Sequence, residues 1–131
     1  MFLDTSGLMC LFDRRDFRHG DAQTFYDTAP ARLTHNYVFA EFIALAHARG
    51  APRAAALEFI LDLHDDDELE VSWVDEELHR EALALLRHRP DKDWSLCDAV
   101  SVLLMGRRGM MDALTTDHHF EQAGLRRLLA Q

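Results

Sequence analysis

Cysteine is almost missing from this chain: only Cys10 and Cys97 occur, each inside an apolar segment. That excludes a disulfide framework or a zinc knuckle and reads as two buried, reduced thiols. Lysine is scarcer still, because of the 14 basic residues only Lys92 is not arginine. Arginine suits bidentate contacts to phosphate or carboxylate; the clusters at Arg14, Arg15 and Arg18, at Arg107 and Arg108, and at Arg126 and Arg127 otherwise read as solvated surface. With three prolines and six glycines there is no linker, repeat or low-complexity tract. A glycine-rich phosphate loop, a GxSxG elbow and a dinucleotide fingerprint are all absent, and the eight histidines form no HisGluxxHis pair. No apolar run reaches the length that crosses a bilayer. The opening Met1-Phe2-Leu3 has no basic region ahead of it, so it is not a secretory signal, and a cytoplasmic protein without a membrane contact is expected.

What is present fits one domain over residues 1–131: 48% of the residues are hydrophobic and 28% charged, enough for a packed core without disulfides or structural metals. The net charge of −9 argues against a protein that grips nucleic acid with its whole surface. It does not exclude a nuclease, whose metal ions supply positive charge locally.

Read in order, residues 1–4 form a short buried strand, with Asp4 at its carboxyl end and the Asp4-Thr5-Ser6-Gly7 stretch as a turn. Helices follow over 8–13 and 21–28, and Leu33-Thr34 is a weak second strand. Asn36 caps an apolar helix that runs to Arg49 and Gly50, and Pro52 opens another in a first-turn position. The run Asp65-Asp66-Asp67-Glu68 lacks the offset spacing of a calcium loop and reads as solvated surface. Leu69 to Val74 alternates like a strand, Asp75 caps a helix to about Arg87, and Ser95 to Met105 is a second strongly apolar helix, with Gly106 and Gly109 at its exit. Met111 to Thr116 is a strand ending at Asp117; a short helix and a last strand or tail around Arg127 to Ala130 complete the chain. Strands alternating with helices predict an α/β fold with a mostly parallel sheet, whose ligands bind beyond the carboxyl ends of the strands.

Four acids stand in apolar surroundings: Asp4, Glu41, Asp98 and Asp117. A carboxylate without water must be neutralised, hydrogen-bonded or bound to a cation, and four together point to a metal site. Each also has a structural explanation. Asp4 and Asp117 can cap the helices that follow them, Ser95-x-x-Asp98 has the form of a capping box, and Glu41 can pair with a buried arginine. His118 and His119 adjoin Asp117 and are expected at the surface.

In these residues the sequence resembles the PIN-domain family, and within it the VapC toxins of toxin–antitoxin pairs. The matching stretches are the hydrophobic opening into Asp4-Thr5-Ser6, Glu41 in an apolar helix, Ser95-Leu96-Cys97-Asp98-Ala99-Val100-Ser101, and Leu114-Thr115-Thr116-Asp117 followed by Phe120 and Ala123-Gly124-Leu125. The resemblance implies a sandwich with a sheet of about five strands flanked by helices. It also implies an endoribonuclease dependent on Mg²⁺ or Mn²⁺, whose hard oxygen ligands disfavour zinc. Asp4 and Asp98 would be the principal ligands, Glu41 and Asp117 would complete the acidic pocket, and Ser6 and Thr116 would support them. RNA would be the substrate, a VapB-type antitoxin the partner, and a homodimer the assembly. An arginine of the antitoxin, or of this chain itself, would be able to occupy the acids. Two other readings stand beside it: a PIN-like scaffold that binds RNA or protein without turnover, and a phosphatase using Asp4 as nucleophile, for which the second acid of an Asp-x-Asp pair is missing, since Ser6 stands there.

Overall fold

Five short strands, β1 (Phe2–Leu3), β2 (Arg32–His35), β3 (Leu69–Ser72), β4 (Asp112–Leu114) and β5 (Arg126–Arg127), make one sheet in the order β3-β2-β1-β4-β5 in the computed structural model, which describes residues 1–130. Every pairing is parallel, so the sheet is wholly parallel rather than mostly so. Parallel neighbours need crossovers long enough to carry a helix. The helices supplied are α1 (Thr5–Phe12), α2 (His19–Thr28), α3 (Asn36–Ala48), α4 (Arg53–His64), α5 (Glu76–His88), α6 (Leu96–Arg108) and the short α7 (His119–Gln122). No helix is long and apolar enough to cross a membrane among the described residues.

The core follows from which faces are apolar. Phe2, Leu3, Leu33, Ala113 and Leu114 of the central strands are buried, as strands covered on both faces must be. Phe12, Phe42 and Phe59 join α1, α3 and α4, with edge-on contacts at 5.5 Å and 5.4 Å from Phe12 and a tilted contact at 5.2 Å between the other two. Cys10 and Cys97 are buried free thiols.

Several boundaries differ from the sequence reading for reasons that lie in the packing. The stretch read as a turn is helical from Thr5, and Gly7 lies inside α1 against β4: a Cβ there would sit 2.0 Å from the Leu114 carbonyl oxygen. Asn36 is the first residue of α3 rather than its cap, and its Oδ1 accepts the Val74 N–H at 2.7 Å, tying that helix to the segment after β3. Pro52 stands just ahead of α4 as its N-cap residue. The acid run is only partly solvated surface. Asp66 accepts the Tyr26 hydroxyl, and Glu68 pairs at 3.0 Å with Arg32, whose guanidinium is buried and also donates to the Tyr26 and Asp27 carbonyls.

His35 ends β2 fully buried, and burial pushes its imidazole down to about 3, so the ring stays neutral. The Ser101 hydroxyl donates to the Cys97 carbonyl at 2.9 Å, so its 2.9 Å contact with His35 requires Nε2–H as the donor. Replacing Ser101 with Ala strands that buried N–H. We expect a loss of about 1–3 kcal/mol in urea denaturation at neutral pH, and an unchanged midpoint would refute the assignment.

Candidate active site

The sheet order makes β1 the strand at which the winding reverses: β2 and β3 lie on one side of it, β4 and β5 on the other. In open parallel sheets the crevice beyond such a point receives ligands, because the loops leaving adjacent strands diverge there. The register Phe2↔Ala113 and Leu3↔Leu114 brings Asp4 level with Thr115, and the Asp4 N–H donates to the Leu114 carbonyl at 3.2 Å.

Asp4 is 4% exposed. Its Oδ2 accepts the Thr115 hydroxyl at 2.8 Å and, more weakly, that of Ser6 at 3.4 Å, while Oδ1 is buried without a partner among the described residues. Its side chain does not cap α1. Burial raises the carboxyl to about 7 against the opposing Thr115 hydrogen bond, and the negative charges of Asp98 and Glu41 raise it further. Ser6 bonds the Thr115 hydroxyl at 3.0 Å and accepts the Thr116 N–H at 2.9 Å. Thr115, not singled out in the sequence, therefore supplies the hydroxyl that holds Asp4, whereas Thr116 enters through its backbone.

Asp98 lies buried in the first turn of α6 and does form the capping box: its Oδ2 accepts the Ser95 N–H at 3.0 Å, and its own N–H donates to the Ser95 hydroxyl at 3.0 Å. The box engages Oδ2, so capping and a role for the second oxygen are compatible. Burial raises this carboxyl too, against the Ser95 backbone bond, and the charges of Asp117 and Glu41 add to the effect. Asp117 follows β4 and accepts the His119 N–H at 2.9 Å, which fastens it to the start of α7.

Glu41 departs from the expectation of an acid buried on an apolar face. It is exposed on α3, whose buried side is carried by Val38, Phe39, Phe42 and Ala46. No arginine pairs with it among the described residues; its charge instead reaches Asp4, Asp98 and Cys97. The Cys97 thiol, pushed up by burial and then by the charges of Glu41, Asp4 and Asp98, stays protonated and is no nucleophile.

His119 was expected at the surface, yet its ring is 20% exposed, with Nδ1 3.0 Å from Asp117 Oδ1 and 3.9 Å from Asp98 Oδ2. Its carbonyl accepts the Trp94 indole N–H at 3.3 Å. His118, 53% exposed, reaches Asp117 Oδ1 only at 3.8 Å. The usable signal in the sequence was the Asp-x-His spacing at the mouth of a short helix, where an aspartate side chain folds back on the residue two ahead. Among the described residues, the donor atoms of Asp117, His118 and His119 lie within 4.8 Å of one another, and no three of the quartet close to that spacing.

The donor set fits a divalent cation. Its carboxylates are hard oxygen donors, Asp4 Oδ1 is a buried acceptor with nothing to accept from, and no lysine or arginine pairs with Asp4, Glu41, Asp98 or Asp117 among the described residues. Arg127, the basic residue that touches this region through the Thr116 carbonyl, is held at 2.6 Å by Glu121.

Residues 1–125 match the family described as PIN domain. The 23S rRNA-specific endonuclease VapC20 of Mycobacterium tuberculosis, from strains CDC 1551 and H37Rv, is 30% identical over 125 residues, covering 95% of this chain and 94% of the relative. The crystal structure of the M. tuberculosis VapC20 toxin, described as cleaving the sarcin–ricin loop, superposes with a TM-score of 0.85 at 27% identity over 95% of each chain. With the parallel sheet, the reversal at β1 and the acids beyond it, the chain belongs to the PIN-domain family, on its VapC branch.

Proposed function

We propose that this chain is a divalent-metal-dependent endoribonuclease, the toxin of a type II toxin–antitoxin pair, acting on the sarcin–ricin loop of 23S rRNA. The observation that carries the reading is the unpartnered, buried Oδ1 of Asp4 within a group of acids at the crevice where the sheet winding reverses. The likeness to VapC20 supports the RNA target.

Asp4 and Asp98 would hold the ion, with Glu41 and Asp117 completing the pocket. Bound Mg²⁺ or Mn²⁺ would supply Lewis-acid stabilisation of the phosphate charge and a nucleophile at neutral pH. Thr115 and Ser6 fix the Asp4 carboxylate, so little reorganisation is left for the reaction. Glu41, exposed and without an ion pair among the described residues, would orient the attacking water and take its proton. The His119 backbone N–H fixes the orientation of Asp117.

A VapB-type antitoxin and a homodimer belong to the same reading. A largely apolar cavity of about 300 Å³ between α3 and α4, lined among others by Ala40, Ile43, Ala44, Ala56 and Leu57, supports a protein partner, and none of the four acids lines it. The phosphatase reading is weakened by Ser6, whose hydroxyl stands where a second acid would act and is tied to Thr115 and Thr116.

The test is incubation of the purified protein with a stem-loop RNA carrying the sarcin–ricin sequence, in Mg²⁺, Mn²⁺ or EDTA. A single cut that EDTA abolishes is expected. Tight binding of RNA that stays intact in both metals would instead make the chain a binding module.

A further inference from the structure

We propose that His119 contributes a nitrogen donor to the acid site, so that the site takes Mn²⁺ in clear preference to Mg²⁺. The inference rests on the metal-dependent reading above and specifies which cation it employs.

Ligand atoms about 2.1 Å from a common ion stand about 3 Å apart when adjacent and about 4 Å apart when opposed. His119 Nδ1 lies 3.0 Å from Asp117 Oδ1, 3.1 Å from Asp117 Oδ2 and 3.9 Å from Asp98 Oδ2. The nitrogen therefore stands at coordination-shell spacing from Asp117 and, at the longer limit, from Asp98. The ring is not a loose surface group: its backbone N–H is bonded to Asp117, its carbonyl takes the Trp94 indole N–H, and it is one-fifth exposed. His118 is half-exposed and farther from Asp117, with its ring centroid 4.5 Å from that of His119. A second observation independent of this group points to a cation as well. Asp4 is more than nine-tenths buried with one carboxylate oxygen unpartnered, within the field of Asp98.

The chemistry of the donor sets the preference. Mg²⁺ demands oxygen ligands and gives up its water reluctantly, whereas Mn²⁺ accepts imidazole nitrogen beside carboxylate at little cost. A site of carboxylates alone discriminates weakly between the two; one imidazole breaks the balance.

Titration calorimetry with each ion, and pulsed electron paramagnetic resonance of the Mn²⁺-loaded protein, test the proposal on the wild type, His119→Gln and His118→Gln. We expect ¹⁴N coupling to bound Mn²⁺ in the wild type and in His118→Gln, and its loss in His119→Gln. Mn²⁺ affinity should fall in His119→Gln by about tenfold or more, with Mg²⁺ affinity changed less than about twofold. Wild-type Mn²⁺ without ¹⁴N coupling overturns the proposal, as does coupling that survives His119→Gln, or an equal loss of both metals, which would make His119 only a brace for Asp117. Absence of coupling in the wild type overturns the proposal even if a variant fails to fold. RNA cleavage is scored separately: intact RNA with ¹⁴N coupling present counts against the nuclease reading alone, whereas metal-dependent cleavage without coupling counts against His119 alone.

Discussion

Asp4→Asn is expected to abolish cleavage and to remove from the metal-free protein the loss of stability that the Asp4 carboxyl brings as pH rises. Losing one group that stabilises charge at a reacting phosphate costs on the order of a hundred- to a thousandfold in rate, and the stem-loop assay would read that directly. The stability effect distinguishes a functional acid from a structural one. In the folded protein the Asp4 carboxyl is raised from an ordinary 3.8 to about 7, chiefly by burial. Between those values the native state keeps a proton that the unfolded chain has released. The contribution is therefore fully present below about pH 4 and is lost as pH rises through about 7. At 1.36 kcal/mol per unit the span sets a ceiling of about 4 kcal/mol. Asn stays neutral, so in EDTA the urea midpoint of Asp4→Asn relative to that of the wild type should rise between pH 5 and pH 8. His35, depressed by burial, acts in the opposite direction, gaining stability as pH rises toward its ordinary value, but it is common to both proteins and cancels in the comparison. Identical pH profiles for the two proteins would remove Asp4 as the buried, unneutralised acid of the site. Saturating Mn²⁺ should offset the Asp4-dependent loss in the wild type, because the ion binds the charged carboxylate.

Gly7→Ala is the second large effect, and its sign is opposite to that of the same change at Gly106. In helices alanine is ordinarily favoured over glycine by up to about 1 kcal/mol. At Gly106, in the last turns of α6, nothing lies within 4 Å of the added methyl, so Ala should stabilise by about 0.5–1 kcal/mol. At Gly7 the methyl would stand 2.0 Å from the Leu114 carbonyl oxygen and 2.7 Å from its carbon. Backbone cannot swing aside as a side-chain tip can. We expect a loss of about 3 kcal/mol, together with reduced cleavage, because α1 would lift away from β4 and carry Ser6 from Thr115. Denaturation midpoints of the two variants check this, and a stable Gly7→Ala protein would mean that α1 does not lie against β4 as described.

Much of the site was legible because it is written locally. Asp4 after an apolar opening, the Ser95-x-x-Asp98 box and the Asp75 cap, which accepts the Leu78 N–H at 2.8 Å, each involve groups within a few residues of one another. Periodicity likewise located the long helices. What was missed depends on partners far away in the chain. Glu41 looked buried because α3 is apolar on nearly every side, yet helix burial is decided by what packs on which side, and only one stripe of α3 faces the core. Asn36 looked like a cap because asparagine often is one; its actual partner is the backbone of Val74. Thr115 and Thr116 are alike in sequence, and the register of β4 against β1 selects the first.

The chain's own order of residues determined an α/β fold, the placement of acids at strand and helix ends, and likeness to PIN domains, since these follow from periodicity and from hydrogen bonds between near neighbours. Tertiary structure alone decided which hydroxyl grips Asp4, why residue 7 must be glycine, and that His119 turns inward between two carboxylates. The first two hang on parallel pairing between segments more than a hundred residues apart, where a shift of one position would turn each side chain to the other face of the sheet, and the third on α7 meeting the first turn of α6.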